Sequence, residues 1–120
     1  MMLNDEQFDA LITRAMNELP KEYIENMINV AIVMQDEPTD DQKVQMKLRD
    51  GVILLGLFEG TPKTGEGAGL FPSKITLFKH SILRVAHSDA EVFNQIKRTL
   101  WHEIAHYYGL SHRDMSERQK

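Results

Sequence analysis

The sequence predicts an α+β fold: a minimal domain in which a small β-sheet packs against one long helix, with further helices at the N-terminus. Three observations carry it: an amphipathic segment at the start, short apolar runs in the middle, and a long capped helix near the end. A chain of 120 residues has room for one hydrophobic core but not two, so residues 1–120 are taken as a single domain.

From Asp5 to Leu19, the residues Phe8, Leu11, Ile12, Ala15, Met16 and Leu19 recur at three- and four-residue spacing, which predicts a helix. Pro20 ends it and opens a short second helix in "PKEYIENM", because proline is tolerated in a helix's first turn. "VAIVM" (Val30 to Met34) reads as a strand, and the acids of "DEPTDD" after it read as a solvated loop rather than a metal site. "VILLGLF" (Val52 to Phe58) is a second apolar run, whose Gly56 marks a bulge or a close backbone approach. The glycine-rich stretch 60–73 is the longest irregular segment, of the kind that borders functional clefts. "KITLF" (Lys74 to Phe78) reads as a third strand, and "SILRVA" is open between strand and loop.

Ser88 and Glu91 form a capping-box pattern that opens the last helix. Phe93, Ile96, Leu100, Ile104 and Tyr107 make its apolar back, opposite a front of Gln95, Thr99, His102 and His106. Trp101 and Tyr108 point toward packing, as does Tyr107, for which contact with a substrate is the lesser reading. Gly109 supplies the helix stop, since glycine readily takes the left-handed conformation.

Composition narrows the function classes. An apolar fraction of 42% and a charged fraction of 27% are those of a globular protein. No apolar run approaches the roughly 18 residues of a membrane-spanning helix. "MMLNDEQFDA" lacks the basic start and apolar block of a signal peptide, so a cytoplasmic location without a membrane partner is expected. The net charge of −4 argues against a nucleic-acid partner. With no cysteine, any metal must be held by histidine and carboxylate.

The chemistry concentrates in "WHEIAHYYGLSH", residues 101 to 112. His102 and His106, four apart on the predicted helix, project from one face on successive turns. Two imidazoles so placed can converge on one ion at about 2.0–2.1 Å, the usual zinc–nitrogen distance. A chain reversal after Gly109 would bring His112 in as third ligand, leaving a fourth position for water. Glu103, about 100° round the helix from His102, stands beside that ion rather than on it, placed to take the proton of a metal-activated water. From this composition a chance H-E-x-x-H has odds of roughly 2%, and adding Gly109 and His112 lowers them to about a few in 100,000, so zinc bound by three histidines is the expected reading. His80 and His87 are expected to be surface or loop histidines without a role.

The full H-E-x-x-H-x-x-G-x-x-H pattern is that of metzincin metalloproteases. Those enzymes carry a methionine turn well beyond the third histidine, whereas only eight residues follow His112 here; Met115 reads as a helix or core residue. The chain more closely resembles the bacterial minimal zincin-like family of metallopeptidases, through "LLGLFEG", "LFPSKITLF" and "LWHEIAHYYGLSHRDM", from about Glu18 to Met115. That resemblance implies a short α+β domain, zinc, and hydrolysis of a peptide or protein substrate. Many members place an aspartate where this chain has His112, which makes Asp114 the alternative ligand. By analogy with zincins, a strand beside the active-site helix would take an extended peptide as an added strand; "KITLF" is the candidate for that edge strand, and a plain core strand is at least as strong a reading of it.

Two rival functions remain open on the sequence. An inactive metal-binding interaction module is one, although it would not need a base at Glu103. The other is an endoribonuclease with three histidines at this spacing, but such enzymes typically carry glycine where this chain has Glu103, and an RNA enzyme would present a basic surface.

Overall fold

The computed structural model describes residues 3–49, 51–63, 67 and 69–110. Helix α1 spans Asp5–Glu18 and α2 spans Lys21–Glu25; strand β1 runs over Val30–Gln35. Helix α3 (Asp40–Gln45), strands β2 (Gly56–Glu59) and β3 (Ser73–Phe78), helix α4 (Lys79–Val85) and helix α5 (Asp89–Tyr108) complete the described chain. The three strands form a mixed sheet in the order β1-β3-β2. β1 runs parallel to β3 with Ile32 opposite Ile75, and β2 runs antiparallel to it with Phe58 opposite Ile75.

This order decides between the two readings of "KITLF" and corrects the edge-strand one: it is the central strand, and the edge beside α5 belongs to β2. The physical reason is burial on both faces together with pairing along both sides. Ile75, Thr76, Leu77 and Phe78 are all enclosed, and the strand is hydrogen-bonded to β1 along one side and to β2 along the other.

One face of the sheet rests on the core. Ile75 and Leu77 meet Phe8, Ile12 and Ala15 of α1 and Val92, Ile96, Leu100, Trp101 and Ile104 of α5, with Val30, Ile32, Met34 and Phe58 packed around them. The helix α1 carries a full capping box, in which the Asn4 side chain accepts from the Gln7 N–H at 2.8 Å and Gln7 answers at 2.9 Å. On its flank Arg14 lies 3.9 Å above the Phe93 ring and Glu18 meets Lys97 at 3.4 Å, fixing α1 along α5.

Three readings of local structure change. Of the acids after β1, Asp36 and Glu37 lie in the expected loop, but Asp40 and Asp41 open α3: Thr39 caps it, accepting from the Gln42 N–H at 3.1 Å, and Gln42 reaches back to the Thr39 N–H at 2.8 Å. "SILRVA" is mostly α4, because Phe78, Ile82 and Ala86, four apart, are buried together. Of "VILLGLF" only the last three residues enter β2, although the Leu55 carbonyl still accepts from the Phe78 N–H at 3.0 Å; Val52 and Ile53 are exposed.

Helix α5 is 20 residues long, about 30 Å at 1.5 Å per residue, and spans the core. Ser88 caps it through the Glu91 N–H, as expected, but the Glu91 carboxylate accepts from the His87 N–H, one residue before the reciprocal box position. Gly109 ends it in the left-handed conformation at φ 71°, and the Leu110 N–H closes back on the Ala105 carbonyl at 3.0 Å. Trp101 and Tyr107 lie in the core, and the Tyr107 hydroxyl accepts from the Ile28 N–H at 3.1 Å, so its ring is a packing element. Tyr108 is half-buried and donates to the Tyr23 carbonyl at 2.6 Å, and its hydroxyl is pushed up to about 12, first by burial and then by the neighbouring Tyr107. His80 and His87 are exposed. No helix of the described residues is long and apolar enough to cross a membrane.

Candidate metal centre

Among the described residues, α5 brings His102, Glu103 and His106 together, with one donor atom from each within 4.8 Å of the others. The two imidazoles meet edge to face, 4.4 Å between ring centres, and His106 Nδ1 lies 3.3 Å from Glu103 Oε1. The helical spacing alone dictates this neighbourhood. His102 is half-buried and His106 exposed, so both rings border open space. Two imidazoles and a carboxylate, with no sulfur, are a donor set that suits zinc. His112, Asp114 and Met115 lie outside the described residues.

What the helix cannot supply comes from β2. Strand alternation turns the backbone groups of Gly56 and Phe58 away from β3. The Phe58 N–H donates to the Glu103 carboxylate, tying the edge strand to the centre of the site. Glu103 is only 6% exposed, and burial pushes its carboxyl from 4.5 up to about 7, against the opposing pull of the Phe58 N–H. A buried acid poised near neutrality beside two histidines has the properties of a general base.

Gly56 explains how β2 comes so close, the second of the two roles its sequence context suggested. A Cβ there would sit 2.6 Å from Thr99 Cγ2, 3.2 Å from the Thr76 carbonyl oxygen and 3.3 Å from Glu103 Cγ. Thr99, expected on the open front of the helix, is therefore buried beneath the strand. Gly56→Ala is predicted to destabilise the fold by about 1–3 kcal/mol through overpacking. Adding Thr99→Ser, which deletes Cγ2 but keeps the hydroxyl that accepts from Gln95 Nε2 at 3.1 Å, should restore part of that loss. Denaturant melts of the two single variants and the double variant measure the coupling; strict additivity would rule out this contact as the cause.

A cleft of about 320 Å³ opens along this seam, with Leu54, Leu55 and Gly56 on one wall and Gln95, Arg98, Thr99, His102 and Glu103 on the other. A hollow of about 420 Å³ between α3 and Val52 contains none of the site residues. At the far end of the site, the glycine-rich stretch begins under restraint: the Lys63 N–H donates to the Tyr107 carbonyl at 2.7 Å and Lys63 Nζ to the Asn26 carbonyl at 2.8 Å. The helix pattern could not reveal the Phe58 anchor or the leucine wall, which lie more than forty residues from the motif. Gly56 was the one local signal for them.

A helix carrying His, Glu and His beside the edge of a small sheet defines a zincin-like domain. The chain belongs to the zincin-like metallopeptidase family, whose model matches residues 27–120. No curated protein matches the chain. Its fold is similar to that of a conserved hypothetical protein from T. thermophilus, at a TM-score of 0.62 and 24% identity over 88% of this chain and 94% of that one. At that identity the likeness concerns the fold.

Proposed function

We propose that the chain is a zinc-dependent peptidase, with zinc held by His102, His106 and His112 and with Glu103 as general base. The observation that carries this reading is the placement of Glu103: buried, beside both imidazoles, and held by the Phe58 N–H. A purely structural metal site has no use for such a group, whose burial opposes its own ionisation. Zinc, when bound, supplies the Lewis acidity that acidifies a water and polarises a carbonyl. Glu103 Oε1 or Oε2 then accepts the water proton and delivers it to the departing amine, as the same carboxyl does in either direction near neutral pH. The Phe58 N–H keeps the carboxylate oriented through both transfers. The substrate peptide would lie along the outer edge of β2, pairing with the outward backbone groups of Gly56 and Phe58 not taken by Glu103.

The test is metal content together with cleavage. Zinc-loaded wild type is expected to bind one equivalent and to cleave members of a peptide library. His102→Ala, His106→Ala and His112→Ala should each weaken zinc by more than the roughly 10–100-fold that loss of a ligand's supporting partner costs. If His112→Ala binds zinc normally while Asp114→Ala does not, the third ligand is Asp114. Stoichiometric zinc without cleavage of any peptide would favour the interaction module, and zinc-dependent cleavage of RNA would favour the nuclease.

A further inference from the structure

The cleft beside the metal centre carries a cation that the chemistry above does not use. Arg98 lies on α5 one turn before His102 and lines the cleft opposite Leu54 and Leu55. Its neighbour Lys97 is engaged by Glu18 at 3.4 Å, whereas Arg98 forms no ion pair among the described residues. Gln95, the next polar group along the same wall, is fixed by its bond to Thr99 at 3.1 Å. A guanidinium that has no ion pair among the described residues and lines a cleft with half-buried leucines is placed to take a planar anion, because its fork of N–H donors matches the two oxygens of a carboxylate.

We propose that Arg98 is a specificity-determining residue that binds a carboxylate of the peptide substrate. This deepens the peptidase reading and rests on it for the position of the scissile bond. One helical turn between Arg98 and His102 is about 6 Å, the length of roughly two extended peptide residues. The carboxylate therefore belongs one or two residues from the scissile bond, either as an acidic side chain or as the free C-terminus of a short peptide. The preference runs against the chain's net charge of −4, so it must come from this local cation rather than the overall field.

Equilibrium binding of fluorescently labelled peptides tests the assignment separately from turnover. Zinc-loaded protein carrying Glu103→Gln prevents cleavage during the measurement. Peptides with glutamate near the site, or with a free C-terminus, are expected to bind about fivefold to tenfold more tightly than their glutamine or amidated counterparts, in a salt-dependent way. Arg98→Ala should erase that preference, and Arg98→Lys should keep part of it. Loss of preference on glutamate-to-glutamine exchange assigns a side chain, and loss on amidation assigns the C-terminus; either supports the proposal. Equal binding of acidic and neutral peptides by the parent protein, or an acidic preference unchanged in Arg98→Ala, would overturn it. Persistence of the Arg98-dependent preference in a protein whose Glu103 form cleaves nothing would sink the peptidase reading and leave the carboxylate site standing.

Discussion

Glu103→Gln is expected to lower peptide hydrolysis by about 10²–10⁴-fold, the usual contribution of a positioned general base, while zinc content stays at the wild-type level. The substitution is conservative where it matters structurally. Glutamine has the same shape, and its amide oxygen can accept from the Phe58 N–H that now serves the carboxylate. The proton affinity and the negative charge are lost, so zinc content is compared at saturating metal. The result also decides between two roles that the cluster of His102, Glu103 and His106 leaves in competition. A base can be neutralised without losing the metal, whereas a ligand cannot. Steady-state cleavage, metal analysis and a thermal melt of the same sample separate the outcomes. Retained activity would show that another group moves the proton, and lost zinc would make Glu103 a ligand.

The histidine spacing, the capping residues and Gly109 were legible because they are local: each acts within four residues of its partner, inside one helix. The helices around them were legible where apolar spacing was regular, as in α1 and α5. Two short helices escaped for reasons that can be named. Thr39 and Gln42 follow the capping pattern, but the surrounding Asp36, Glu37, Asp40 and Asp41 gave the segment a loop's composition. In α4, the spacing of Phe78, Ile82 and Ala86 was hidden because Phe78 also ends a strand. Strand order was the larger gap. "KITLF" and "VILLGLF" have similar compositions, and nothing within either segment says which will have neighbours on both sides. That is decided by long-range pairing of β3 with β1 and β2 together. The metal motif could therefore be read without the fold, but the burial of its glutamate could not.

Below about pH 7 the metal-free protein is expected to be more stable than above it, on account of Glu103. In the unfolded chain this carboxyl has its ordinary value of 4.5, and in the folded chain burial raises it to about 7. Between these values the folded protein holds a proton that the unfolded chain has released, so stability falls as pH rises through the interval. Below 4.5 both states are protonated and the contribution is complete; above 7 both are ionised and it is gone. The size is on the order of 3 kcal/mol, at about 1.36 kcal/mol per pKa unit. Denaturant melts of metal-free wild type and Glu103→Gln from about pH 4.5 to 8 isolate this contribution, since titrations shared by both proteins largely cancel. Glutamine should become the more stable form, relative to wild type, as pH rises. Zinc should flatten the trend, because a cation beside Glu103 favours its ionised form and offsets the burial cost. That flattening would link stability to the proposed function: the burial that makes the carboxylate costly in the metal-free fold also places it where the proposed base would stand. A wild-type-to-glutamine difference that stays constant across this range would mean the carboxylate keeps its hydration in the folded chain, and the argument from burial to base would fail with it.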